Sequence, residues 1–159
     1  MSKDELILLL KEYKENKAKL TMRLKDLKNA RIKLQNYADP YTSITSSFGI
    51  NQDIQSKNNI SNKVLNKVVK NDDEIEKTKK KIEKLEKEVR ELRIKVDAVE
   101  DRLIALKYRE KELLCAYYID GRTYEDIGNN LYHRLFSQTR SEKQIKRIVE
   151  IATEKMLKL

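Results

Sequence analysis

The stretch EIEKTKKKIEKLEKEVRELRIKVDAVEDRLIAL, Glu74 to Leu106, decides the fold. Ile75, Thr78, Ile82, Leu85, Val89, Leu92, Val96, Val99, Leu103 and Leu106 recur at alternating steps of three and four. That spacing draws one stripe along an α-helix and cannot line one face of a strand. Ile75, Ile82, Val89, Val96 and Leu103 fall at heptad position a, and Thr78, Leu85, Leu92, Val99 and Leu106 at d. Largely β-branched a positions with several leucines at d favour a parallel two-stranded coiled coil. The flanking charges agree: across an in-register parallel dimer Glu74 meets Lys79, Lys81 meets Glu86, Glu88 meets Arg93 and Lys95 meets Glu100, all attractive. The expected dimerisation residues are therefore Ile75, Ile82, Leu85, Val89, Leu92, Val96, Val99 and Leu103, and the expected assembly a homodimer. Two other uses of the pattern stand beside it. Pairs such as Glu83 with Lys87 and Lys84 with Glu88 stabilise a single helix by about 0.2 to 0.5 kcal/mol each, and the N-terminal helix could fold back to fill the seam. A helix from Ser61 to Lys107 would be about 70 Å long. If paired in parallel, it delivers two C-terminal modules to the same end.

Upstream, Leu6, Tyr13, Leu20, Leu27 and Leu34 recur every seven residues, with Leu10 and Leu24 between them. Lys17 and Arg31 interrupt this seam, so it predicts a partial coiled coil or one wall of a bundle. Lys11, Lys14, Lys17, Lys19, Lys25, Lys28 and Lys33 read as a solvated face rather than a second nucleic-acid surface. Pro40 ends the helix, since proline cannot donate to the helical ladder and drives Asp39 out of the helical region. From Tyr41 to Asn62 the chain is polar, with Phe48 and Ile50 able to dock elsewhere. Tyr37, Tyr41 and Phe48 read as linker aromatics rather than base-stacking groups. The expected organisation is an amphipathic helix over 1–37, a flexible polar linker over 38–60, a long heptad helix over 61–108 and a helix-turn-helix over 109–159. The fold class is all-α: long helices forming a coiled coil or a helical hairpin, joined to the C-terminal module.

Composition agrees with that division. The chain has 159 residues, 38% charged, with three glycines, one proline and no tryptophan, too few bulky apolar residues for a large globular core. The net charge of +9, from 35 Lys and Arg against 26 Asp and Glu, favours polyanionic partners, although lysine-rich usage also follows from AT-rich coding. Cys115 is the single cysteine, which excludes an intrachain disulfide; on a mostly apolar helix it reads as a core residue. The apolar run Leu6 to Leu10 is too short for a signal peptide or a membrane span, which predicts a cytoplasmic protein without membrane contact. His133 is the only histidine, and there is no phosphate-cradling glycine loop, metal-ligand spacing or carboxylate pair in a candidate pocket. No enzyme activity, metal or cofactor is expected.

The C-terminal stretch punctuates itself. Glu112 to Ile119 is a mostly apolar helix stopped by Asp120-Gly121, where glycine takes the left-handed cap at little steric cost. Thr123-Tyr124-Glu125-Asp126 is a capping-box layout opening a second helix, with Tyr124, Ile127 and Leu131 on its inner face. Ser141-Glu142-Lys143-Gln144 opens a third, with Ile145, Ile148, Ala152 and Met156 inward and Lys143, Gln144, Lys146 and Arg147 outward.

Tyr118-Ile119-Asp120-Gly121-Arg122-Thr123-Tyr124-Glu125-Asp126-Ile127-Gly128 resembles the Y-x-x-G-x-[ST]-x-x-E/D-I-A segment shared by domain four of bacterial sigma factors and the RinA/ArpU-type activators of phage late genes. The order of helix, polar linker, charged long helix and C-terminal module is similar to that phage group as well. Between Leu131 and the third helix this chain inserts Tyr132 to Arg140, which implies either an enlarged turn or a longer second helix. The resemblance implies a sequence-specific activator of phage late transcription that binds double-stranded DNA, and its sigma-like module implies contact with the promoter or RNA polymerase.

In a helix-turn-helix the Ser141-started helix enters the major groove with its N-terminal residues near base edges. Lys143, Gln144 and Arg147 are the expected base readers, since glutamine suits adenine and Lys or Arg suits guanine. Arg122, Arg140, Lys146 and Arg134 are better placed for phosphates. Two alternatives use the same features differently: a coiled-coil assembly or adaptor protein, and a small terminase-like packaging subunit forming rings larger than dimers.

Overall fold

The computed structural model describes residues 1–38 and 59–158, and the side chains of 1–37 and 72–158. It is all-α, with no strand among the described residues. Helix α1 is Lys3–Ala38 and α2 is Asn59–Ile104. Helix α3, residues 108–119, runs from Tyr108–Leu114 into a wide π-helical turn, Cys115–Ile119. Helix α4, residues 124–136, is built likewise from Tyr124–Asp126, a π-helical turn Ile127–Leu131, and Tyr132–Phe136. Helix α5 is Glu142–Leu157. The segment expected to be a linker lies outside the described residues but for its edges, as do the expectations for Tyr41, Phe48 and Ile50. No helix of the described residues is long and apolar enough to cross a membrane.

The chain groups into two compact units, one of Thr21–Arg90 and one of Met1–Leu20 with Glu91–Leu159. The C-terminal module thus shares a unit with the start of α1 and the end of α2. In the unit Thr21–Arg90, Leu27 and Ala30 of α1 and Thr78, Leu85 and Val89 of α2 are buried. Arg23 pairs with Glu88 at 2.8 Å, Arg31 with Glu86 at 2.8 Å, and Lys33 with Glu74 at 3.6 Å. Partner numbers fall on α2 as they rise on α1, so the helices run antiparallel. Lys33 also lies over the Tyr37 ring, 5.4 Å from its centre.

In the other unit, Leu6 and Leu10 of α1 are fully buried in one cluster with Val99, Leu103 and Leu106 of the α2 end and with Leu114, Ala152 and Met156. The Tyr13 hydroxyl donates to Glu100 Oε1 at 2.7 Å, and Lys17 Nζ reaches the same oxygen at 2.8 Å. The heptad seam is therefore covered by α1 of the same chain, the fold-back use of the pattern that stood beside parallel self-pairing. Leu85, Val89, Val96, Val99 and Leu103 are buried within one chain, while Ile75, Ile82 and Leu92 are half-buried. Glu74, Glu86, Glu88 and Glu100, the four acids expected to bridge two copies, pair instead with Lys33, Arg31, Arg23 and Lys17. The physical reason is proximity: a partner in the same chain carries no association cost at any concentration, and its leucine seam matches.

Candidate nucleic-acid interface

Local chemistry sets the three helices of the C-terminal module. Lys107 opens α3, its N–H donating to Glu110 Oε2 at 3.3 Å. Gly121 closes it with φ 69°, the left-handed conformation expected of that position. Thr123 caps α4, Asp126 N–H donating to its Oγ1 at 3.2 Å. Ser141 and Gln144 form the expected reciprocal box at the start of α5, with Ser141 N–H donating to Gln144 Oε1 at 3.1 Å.

These helices close on a second cluster of Leu113, Ala116, Ile127, Leu131, Tyr132, Ile145 and Val149. Helix α5 thus divides its apolar face: Ile145 and Val149 pack here, whereas Ala152 and Met156 join Leu6, Leu10 and Val99 in the first cluster. Val149 and Tyr132 belong to the core although the expected stripes omit them, and Ile148 is only half-buried. Lys155 of α5 is ion-paired with Glu110 of α3. That contact, together with burial and the Lys107 amide, acts on the Glu110 carboxyl, and the Lys155 contact dominates, holding it below its ordinary pKa. The Tyr117 and Tyr124 rings stack at 4.0 Å, joining the end of α3 to the start of α4.

The inserted residues lengthen α4 rather than enlarge the turn. Helix α4 continues to Phe136, and Ser137 ends it in the left-handed region at φ 54°. The turn then crosses α4 at Gly128, where Arg140 N–H donates to the Gly128 carbonyl at 3.4 Å. A Cβ at 128 would lie 2.3 Å from the Arg140 carbonyl oxygen, a clash of backbone that has no flexible end to yield. Glycine in place of the alanine of the resembled motif is what admits so close a turn.

Around this turn the expected site residues meet unequal surroundings. Lys143, Lys146 and Arg147 are exposed on α5 and have no ion-pair partner among the described residues. Gln144 is exposed, but its carbonyl oxygen is engaged in the cap, so reading a base with both ends of its amide competes with holding the helix start. Ser141 is the cap itself. Arg122 is committed to Asp126 at 3.5 Å, on the first turn of α4. Arg134 and His133 are exposed on the last turn of α4.

Arg140, Gln144 and Arg147 come together in a pocket of about 240 Å³ with Ile148, Tyr132 and Arg109. Arg109 belongs to the first turns of α3 and is not among the expected contacts; only the folding of α3 against α4 brings it there. Its guanidinium lies 4.9 Å from the centre of the Phe136 ring and 5.6 Å from that of Tyr132, while that of Arg140 lies 5.8 Å from Tyr132. Tyr132 is fully buried, and its hydroxyl has no hydrogen-bond partner.

Two further groups bear on chemistry. Cys115 is half-buried, and burial pushes its thiol up to about 11, so the nucleophilic thiolate is scarce near neutral pH. Among the described residues no three His, Cys, Asp or Glu side chains are grouped to hold a metal ion. Comparison with known proteins finds no matching family profile, no matching curated protein and no matching solved structure.

Proposed function

We propose that the chain is a non-enzymatic, sequence-specific DNA-binding regulator of transcription that presents the N-terminal turns of α5 to the major groove. The observation that carries this reading is the unpaired cationic face of α5, Lys143, Lys146 and Arg147, standing beside Arg140 at a capped helix start reached through a tight turn. A long α-helix whose first turns are basic and exposed suits groove entry, and phosphate neutralisation supplies the affinity. Lys143 and Gln144 lie nearest the helix start and offer base contacts, with Gln144 shared between base and cap. Lys146 and Arg134 serve the backbone. Activation of phage late genes and contact with RNA polymerase rest on the resemblance of Tyr118 to Gly128 to the RinA/ArpU and sigma-domain-four segment.

Selection of bound sequences from random duplex DNA, at near-physiological salt and with the intact chain, tests the proposal. An enriched motif that disappears in Lys143→Ala/Lys146→Ala supports it. Equal retention of all sequences by the intact chain and the variant removes it in favour of an adaptor built on helical packing.

A further inference from the structure

The pocket between α3, the α4–α5 turn and α5 gathers three guanidinium groups, from Arg109, Arg140 and Arg147. Like charges brought together repel, and none of the three has a carboxylate partner among the described residues. Aromatic rings hold two of them in place: Arg109 over Phe136 and Tyr132, Arg140 over Tyr132. A cation–π contact does not use up the N–H donors of a guanidinium, which remain able to bind an anion. One guanidinium satisfies a carboxylate, whereas three around one pocket suit an ion with oxygens in several directions. Tyr132, in the same wall, is fully buried, and its ring lies against the guanidinium groups of both Arg109 and Arg140.

We infer that this pocket seats a phosphate group and, resting on the DNA-binding reading above, that the phosphate belongs to the DNA backbone flanking the groove entered by α5. Arg147 then anchors the backbone instead of reading a base. Arg109, on a helix outside the helix-turn-helix pair, sets the depth to which α5 enters. Sequence discrimination falls to Lys143 and Gln144.

The test pairs the intact chain with Arg109→Gln, which removes the charge from an exposed position. Duplex affinity is measured from 50 to 300 mM salt, alongside the shift in unfolding midpoint caused by inorganic phosphate. Arg109→Gln is expected to weaken specific and unrelated duplexes alike, about tenfold, and to flatten the salt slope by about one unit. Duplexes carrying single methylphosphonate substitutions read the same contact without altering the protein. One or two positions are expected to lower affinity about tenfold in the intact chain and to have little effect in Arg109→Gln. An unchanged slope in the variant, or equal small effects at every substituted phosphate, overturns the inference while leaving DNA binding intact. No duplex binding, together with a phosphate-induced midpoint shift that Arg109→Gln abolishes, assigns the pocket to free phosphate and overturns the DNA-binding reading. Neither duplex binding nor a phosphate shift overturns both.

Discussion

Along α1, Lys17, Arg23, Arg31 and Lys33 each meet a carboxylate of α2, whereas along the first turns of α5 Lys143, Lys146 and Arg147 meet none among the described residues. The two regions draw on the same side-chain chemistry but use it differently. On α1 the cations flank buried apolar side chains and select antiparallel register, since a shift along the seam would set them against α2 lysines. Exposed pairs of this kind contribute little net energy, so orientation is their main effect. On α5 the cations stand over a packed core that is complete without them, which leaves their charge available to an outside polyanion. A net charge of +9 is therefore not spread evenly in its consequences.

The largest effect is expected from removing the apolar core that joins the start of α1 to the end of α5. Leu114, fully buried, touches the cluster containing Leu6, Leu10, Val99, Ala152 and Met156. Leu114→Ala is expected to cost about 2 to 5 kcal/mol in urea unfolding, with the transition midpoint as the readout. A loss below about 1 kcal/mol would show that the helix ends and the module do not share one core.

Gly128→Ala comes next, because its Cβ would meet the Arg140 carbonyl at 2.3 Å. We expect about 1 to 3 kcal/mol of destabilisation and a displaced start of α5, visible as amide chemical-shift changes concentrated at 140–147. Wild-type stability and unchanged shifts would refute the close turn.

Acidification separates the two kinds of pairing more finely. The Glu110 carboxyl sits below its ordinary 4.5 through Lys155, and Glu100 sits below it through Lys17 and then Tyr13. A depressed carboxyl contributes stability above its unfolded pKa and loses it as pH falls through the folded one. Unfolding midpoints should therefore drop modestly as pH falls below about 4.5, and less so in Glu110→Gln. Equal drops in both proteins would remove Glu110 as a source of the acid sensitivity.

The smallest effect is expected at Arg31 and Glu86, 2.8 Å apart on the hairpin. In a double-mutant cycle to alanine their coupling should be below about 1 kcal/mol and should shrink in high salt. A larger, salt-insensitive coupling would mean that such pairs stabilise the hairpin as well as setting its register.

Helix type, caps and the fold-back option are legible in the amino-acid sequence. Gly121, Thr123 and the Ser141-Gln144 box act where their local chemistry puts them, since a cap depends on residues within one turn. Lys17 and Arg31 read as defects in the α1 seam but are the residues that meet Glu100 and Glu86. A heptad pattern weighs both partners by apolar spacing alone and is satisfied equally by a second copy or by another segment of the same chain, so it does not separate parallel self-pairing from the hairpin. The candidate site is half legible. Arg140, Gln144 and Arg147 can be read from their place at the start of α5, but Arg109 and Tyr132 cannot, because they reach the pocket from other helices.

The sequence by itself determined that the chain is helical, where α3 stops and where α4 and α5 start, and which face of α5 is basic, because periodicity and capping are local interactions. The tertiary structure alone decided that α1 covers the heptad seam, that Gly128 lets the turn cross α4, and that three arginines converge on one pocket. Those outcomes depend on side chains distant in sequence competing for the same space, and no local pattern ranks that competition.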